Sequence, residues 1–187
     1  PPGLSFNAIS KKALDAYKKA TLPKSYWDWG EHIDSNSAGA FPYTPATNLL
    51  FGLNEAILML KEEGLDHVFA RHKRYAEATR LAVQTWGLEV LCENEDDFSN
   101  TLTAVLLPDG HNADEFRSIV LDNFNMSLGN GLSRLAGKVF RIGHLGDFND
   151  LMLVATLGGI EMGLSKSSVP HQIGGTQAAM QFLKQGT

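Results

Sequence analysis

The residues best able to do chemistry lie in a glycine-rich stretch, residues 128–144, which contains an arginine between two apolar side chains. Gly129 and Gly131 permit another group to approach the backbone closely. A Gly-x-Gly pair can also belong to a dinucleotide-binding fold, but that fold requires a long apolar strand before the glycines and a helix that opens at the second one. The sequence shows neither feature around these glycines, so it does not favour a nucleotide site.

The arginine of this stretch is Arg141, and its neighbours Phe140 and Ile142 form a run typical of a β-strand. Strand alternation sends these two neighbours to the face opposite Arg141. At such a position a guanidinium is either a solvated charge or a fork that holds an anion such as a carboxylate through two parallel hydrogen bonds. The pattern alone favours the solvated charge, because arginine is seldom fully buried.

A second candidate site lies at Tyr43 and Thr44, whose hydroxyls come shortly before a helix predicted from Thr47. The free backbone N–H groups at the start of a helix attract phosphate, and nearby hydroxyls add further donors. The alternative is a hydroxyl that only caps the helix. The pattern alone favours the cap.

The histidines and nearby carboxylates suggest little chemistry. No two of the six histidines stand at a metal-ligand spacing, so no metal site is predicted. His67 and His72 are expected in surface or capping roles. His144 with Asp147 and Asp150 could form an acid–base group, but a solvated loop and a helix cap are favoured.

Apolar periodicity predicts the elements that must position these residues. Helices are predicted over residues 11–20, 47–63, 65–86, 113–123, 151–164 and 172–184, and strands over 88–91, 101–107 and 139–142. Residues 22–45 show neither period and are predicted to form a long aromatic loop. This order predicts a two-layer α/β sandwich with an antiparallel sheet from Leu88 to the end.

Composition excludes several classes of protein. The chain has 187 residues, of which 43% are hydrophobic and 20% charged, as in an ordinary globular protein. Its net charge of −5 and the lack of a basic block argue against nucleic acid, and no apolar run is long enough for a membrane helix. The single cysteine, Cys92, fits a reducing compartment. The first residues carry neither an initiating Met nor a signal peptide, which we interpret as a chain cut in its middle.

Four sets of residues carry a resemblance to a known family: 1–6 (PPGLSF), 41–45 (FPYTP) with 48–53 (NLLFGL), 63–66 (EGLD) with 70–72 (ARH), and 136–146 (AGKVFRIGHLG). In this order they resemble serine–glyoxylate aminotransferases, which belong to the class V, fold-type I family of pyridoxal-phosphate-dependent enzymes. The resemblance extends over essentially the whole chain, including the tail after Pro170.

The resemblance implies a fold and a domain organisation. Residues 1–86 would form the end of the large cofactor-binding domain and the interdomain helices, and residues 87–187 the small carboxyl-terminal α/β sandwich domain with its antiparallel sheet. In the family, the lysine that holds pyridoxal 5'-phosphate as a Schiff base comes shortly before the Pro-Pro-Gly segment. That lysine would therefore lie outside this chain, in an upstream large-domain segment, and the complete enzyme would be a homodimer.

The resemblance also assigns roles to the candidate residues. Arg141 matches the arginine that binds the α-carboxylate of the substrate. Thr44 matches the threonine that contacts the cofactor phosphate, expected to be that of the neighbouring subunit. In relatives with a tyrosine three residues before this threonine, the tyrosine is its aromatic partner. Phe41 replaces it here, so Tyr43 is the second candidate for a phosphate contact. No metal is implied.

The implied activity is the transfer of an amino group from serine to glyoxylate, giving hydroxypyruvate and glycine. Its partners would be small amino and keto acids, with no nucleic acid and no membrane, in the cytoplasm. Alanine–glyoxylate transamination is an alternative on the same protein framework, and Arg141 does not distinguish serine from alanine as the amino donor. A third alternative is a non-catalytic partner or fragment without turnover of its own.

Overall fold

The computed structural model describes residues 3–185 and divides into two compact units, Pro1–Glu63 and Gly64–Thr187. Pro1 and Pro2, which begin the first block of family resemblance, and the last two residues of the predicted small domain lie outside the described residues.

The N-terminal unit contains three helices, α1 (Lys11–Tyr17), α2 (Trp29–Ser37) and α3 (Thr47–Glu63). As expected, the Ser10 hydroxyl caps α1, accepting a hydrogen bond from the Ala13 backbone N–H at 3.2 Å. Helix α3 has the bounds that its apolar spacing predicts. None of the three helices has a buried residue, so their apolar side chains remain accessible within this unit.

Helix α2 corrects the prediction of a continuous loop over residues 22–45. It begins after Asp28, whose carboxylate accepts a hydrogen bond from the Gly30 N–H at 2.8 Å. The Tyr17 hydroxyl also donates to Asp28, at 2.5 Å. The helix is short and mostly polar, so apolar periodicity could not reveal it.

The C-terminal unit places its helices against one four-stranded antiparallel sheet. Its elements, in chain order, are α4 (Leu65–Thr85), β1 (Glu89–Val90), β2 (Leu102–Leu106), α5 (Ala113–Phe124), β3 (Gly129–Asn130), β4 (Val139–Gly143), α6 (Asp150–Lys166) and α7 (Gly175–Lys184). The strands lie in the order β1-β2-β4-β3. The predicted α/β fold with an antiparallel sheet is thus confirmed. Strand β3 was not predicted, because two residues that include a glycine carry no strand pattern of their own.

One face of this sheet forms the hydrophobic core together with the helices. Val105 of β2 and Phe140 and Ile142 of β4 are fully buried. The ring of Phe140 lies 4.9 Å from the ring of Phe116 on α5. Helices α4, α6 and α7 complete the core through further side chains, among them Tyr75, Val83, Trp86, Leu157, Ile160, Ala179 and Leu183.

Helix α4 belongs to the same compact unit as the sheet, so the units divide between Glu63 and Gly64. The physical reason is its apolar face, since Tyr75, Val83 and the capping residue Trp86 are part of the core. The assignment of residues 1–86 and 87–187 to two domains of the complete enzyme remains a prediction.

The carboxylate of Glu161 anchors the start of α7. It accepts hydrogen bonds from the Trp86 indole at 3.1 Å and from the backbone N–H groups of Gly174 at 2.5 Å and Thr176 at 2.8 Å. Burial alone would raise the pKa of Glu161, but these donors outweigh it and lower the pKa to about 2. The Glu161 carboxylate is therefore charged at neutral pH and accepts all three of these hydrogen bonds.

The described helices include none with the length and apolar character that a membrane span requires.

The contact of α7 with α4 predicts an effect of Gly175→Ala. A Cβ at this position would meet the Trp86 indole nitrogen and would lie 2.6 Å from the Ala82 carbonyl oxygen. We expect a loss of about 1–3 kcal/mol in the free energy of unfolding, as for other overpacked sites. Urea unfolding measures it. Gly158→Ala is the matched control, because a Cβ there meets its nearest neighbour only at 4.0 Å. Equal stability of the two variants would contradict this account of the packing.

Candidate functional site

Arg141 lies at the centre of β4, opposite Ala104 of β2 and Gly129 of β3. Its neighbours Phe140 and Ile142 are buried in the core, as the alternation predicts. Arg141 is itself half-buried and shares its face of the sheet with Ala104. The strand therefore directs the guanidinium away from the helices.

The guanidinium of Arg141 is held at one of its nitrogens only. Its Nε donates a hydrogen bond to the Asn130 carbonyl oxygen at 2.8 Å. Within residues 3–185, no carboxylate forms an ion pair with it, and neither terminal nitrogen has a hydrogen-bond partner. The two terminal nitrogens can thus offer parallel N–H groups to a carboxylate. Both the solvated charge and the anion fork are compatible with this placement.

The loop that follows β4 is fastened to α4. Arg71 donates from Nη1 to the carbonyl oxygens of Gly146 and Phe148, at 3.0 Å each. The Nε2 of His72 accepts a hydrogen bond from the Gly146 N–H at 3.1 Å, and its Nδ1 lies 2.7 Å from the Val68 carbonyl oxygen. His72 is buried, so the expectation of a surface or capping role is wrong. His72 instead holds the loop that follows β4, the strand that carries Arg141, through its hydrogen bond with Gly146.

His144 is fully buried, and its Nε2 lies 2.9 Å from the Thr103 hydroxyl. Burial lowers the pKa of His144 to about 4, so the ring is neutral at pH 7. Asp150 forms a salt bridge with Arg74, with oxygen–nitrogen distances of 2.7 and 2.9 Å. This pairing commits Asp150 to a structural contact with α4 rather than to an acid–base group.

The cap of α6 is also not an aspartate. The side chain of Asn149 accepts the hydrogen bond from the Met152 N–H at 3.0 Å, and Asp150 is the first helical residue. The expected helix cap is therefore present, but the neighbouring asparagine supplies it.

Tyr43 and Thr44 lie in the other unit, in the segment between α2 and α3. Thr44 is exposed. The Tyr43 hydroxyl lies 3.2 Å from both the Glu31 carboxylate and the Ser25 hydroxyl. A carboxylate this close to the Tyr43 hydroxyl repels a phosphate. This argues for Thr44 rather than Tyr43 as the hydrogen-bond donor to a phosphate. The roles of Arg141, Thr44 and Tyr43 remain predictions.

Comparison of the sequence with known proteins identifies the family of this chain. The chain is 42% identical to serine–glyoxylate aminotransferase of Arabidopsis thaliana over 98% of its length, and covers 46% of that protein. It is 37% identical to L-aspartate–glyoxylate aminotransferase of Paracoccus denitrificans over 100% of its length, and covers 48% of that protein. The chain thus spans about half the length of the curated relatives it matches.

Solved structures give the same result. Ureidoglycine–glyoxylate aminotransferase from Bacillus subtilis superposes with a TM-score of 0.83 at 25% identity, over 93% of this chain and 46% of that one. No protein-family model matches the sequence. The chain belongs to the class V aminotransferase family, of fold type I, and corresponds to the carboxyl-terminal part of its relatives.

The buried His144 generates a pH prediction. Its pKa is near 6.5 when unfolded and about 4 when folded, so the unfolded state binds the proton first. Stability due to the neutral ring is complete above pH 6.5 and is lost as pH falls towards 4. Between pH 7.5 and 5.0 we expect the free energy of unfolding to drop by about 2 kcal/mol more than in His144→Gln. Urea unfolding at both pH values measures this difference. Since the other histidines are common to both proteins, parallel pH profiles would contradict the assignment.

Proposed function

We propose that the full-length protein containing this chain is a pyridoxal-phosphate-dependent aminotransferase that transfers an amino group from serine to glyoxylate, giving hydroxypyruvate and glycine. The observation that carries the proposal is Arg141, which lies in the family block 136–146 on the sheet face opposite Phe140 and Ile142, with two terminal nitrogens that have no partner among residues 3–185. The identity of 42% to a serine–glyoxylate aminotransferase supports serine as the donor.

Arg141 would act by orienting the two substrates. Serine and glyoxylate differ at the reacting carbon, but each carries a carboxylate next to it. A planar guanidinium that binds this carboxylate through two hydrogen bonds fixes the direction of the adjacent carbon as well as its position. One arginine can therefore orient donor and acceptor in turn, and this orientation lowers the barrier of both half-reactions.

Thr44 would hold the cofactor. When bound, pyridoxal phosphate supplies the electron sink of the reaction. The Thr44 side chain is exposed and lies shortly before the first residue of α3, so its hydroxyl and the N–H groups of the helix start suit a phosphate. Tyr43 would be a weaker second donor, because its hydroxyl is already 3.2 Å from the Glu31 carboxylate.

The proposal includes an assembly. In the complete homodimer, Thr44 would reach the cofactor phosphate of the neighbouring subunit, and residues 1–86 would complete the large domain. The accessible apolar side chains of α3 support this, since Phe51 is 76% exposed and Leu58 49% exposed. Side chains of this kind need a covering surface in the complete enzyme. A cytoplasmic setting agrees with the single cysteine.

The first test of the proposal is Arg141→Lys in the full-length protein. Lysine keeps the charge but cannot form the two parallel hydrogen bonds. We expect kcat/KM for serine and glyoxylate to fall by an amount equivalent to about 2–4 kcal/mol of transition-state stabilisation. Steady-state kinetics measures this loss, with alanine and aspartate as competing donors.

The matched control is Arg134→Lys, because Arg134 is exposed and lies in the same segment before β4. It should leave kcat/KM within about twofold. A similarly small effect of Arg141→Lys would remove Arg141 from the site. A higher kcat/KM for alanine or aspartate than for serine would overturn the choice of donor, and no transamination with any donor would overturn the activity.

The second test is Thr44→Val, which removes a hydroxyl with little change in volume. Loss of a charge-assisted hydrogen bond to phosphate should make pyridoxal phosphate dissociate faster, by about tenfold, with the fold intact. Absorbance after timed dialysis measures cofactor retention. Thr21→Val is the control, since Thr21 is an exposed threonine of the same unit. Equal retention by both variants would show that Thr44 does not hold the phosphate.

A further inference from the structure

The side chain of Arg141 lies close against the backbone of β3. A Cβ built on Gly129 would be 2.9 Å from the Arg141 Cβ and 3.1 Å from its Nε. The same Nε donates to the carbonyl oxygen of the next residue, Asn130, at 2.8 Å. The stem and Nε of Arg141 therefore pass over the position that a side chain at residue 129 would occupy.

The backbone conformation does not require a glycine at position 129. Eight glycines of the described chain have positive φ values, and Gly129 is not among them. Any L-residue could adopt this backbone, so the constraint comes from the space that Arg141 fills. The constraint at Gly131 is different, because a Cβ there would meet the Leu135 carbonyl group, which is backbone. Gly131 allows the turn to close, whereas Gly129 leaves room for a functional side chain.

We infer that Gly129 and the Asn130 carbonyl position Arg141 for carboxylate binding, and this inference rests on the proposed function. Arginine has a flexible stem, whose ordering on binding opposes association. Here the hydrogen bond at Nε and the contact with Gly129 order the stem before any ligand arrives. Both terminal nitrogens are left to the ligand. Gly129 is thus a positioning residue that acts through Arg141, and the second glycine of the pair serves the fold.

The experiment compares two probes of the same shape in the full-length protein. Glycolate carries a carboxylate, and glycolamide replaces it with a neutral amide. Gly129→Ala should raise the inhibition constant of glycolate by about tenfold, because the displaced arginine must then be ordered at the expense of binding. The inhibition constant of glycolamide should stay within about twofold. KM for serine should rise more than kcat falls.

Gly158→Ala is the control, as it adds the same methyl group in the same unit where no close neighbour lies. It should leave both inhibition constants unchanged. If Gly129→Ala alters both probes equally, or neither, the inference is wrong. If Arg141→Lys lowers glycolate affinity while Gly129→Ala does not, only the inference fails. If neither substitution affects glycolate, the proposed role of Arg141 fails as well.

A measurement on the unsubstituted protein keeps the inference testable should Gly129→Ala not fold. Crystal structures without and with glycolate should show the same Arg141 rotamer and the same hydrogen bond from Nε to Asn130. An arginine that adopts this rotamer only in the presence of glycolate would overturn the inference.

Discussion

The pairing of β4 between β2 and β3 is the constraint on which the rest of the structure depends. Because β4 has a neighbour on each side, its backbone direction is fixed and its side chains must alternate between the two faces. Phe140 and Ile142 enter the core, and Arg141 between them must point to the other face. The same packing that stabilises the sheet therefore fixes the position of the candidate functional group.

Polar contacts extend this order beyond the end of the strand. Arg71 and His72 of α4 hold Gly146, and the buried His144 lies against Thr103 of β2. These groups are engaged with backbone or with one another, so none of them competes with Arg141 for an anion. The C-terminal unit thus uses several of its cations and rings for structure, whereas the terminal nitrogens of Arg141 have no hydrogen-bond partner among residues 3–185.

Sequence periodicity predicts those parts of this fold that have a local cause. The apolar spacing of α3 gives its bounds, and residues 139–142 are predicted to form a strand because three of them are large and apolar, in agreement with β4 (Val139–Gly143). Strand β3 could not be found in this way, since its two residues become a strand only by pairing with β4. The contacts of His72 also join residues far apart in the chain, and no local pattern predicts such contacts.

In the candidate site, too, local sequence predicts some features, and others depend on contacts that the sequence does not show. The sequence locates Arg141 on a strand face, but its pattern alone favours a solvated charge, and the role in carboxylate binding comes from family resemblance. For Thr44 the structure shows an exposed hydroxyl and leaves its role a prediction. The different tasks of Gly129 and Gly131 depend on distances to Arg141 and Leu135, so a Gly-x-Gly motif cannot distinguish them.

Helices α1, α2 and α3 leave the ribosome before the residues that form the C-terminal core have been synthesised. None of the three has a buried residue, and α3 exposes apolar side chains such as Phe51 and Leu58. The later core closes around α4 and the sheet within its own unit. As long as no other surface covers them, these helices therefore carry accessible apolar side chains and are prone to associate with other exposed apolar chains.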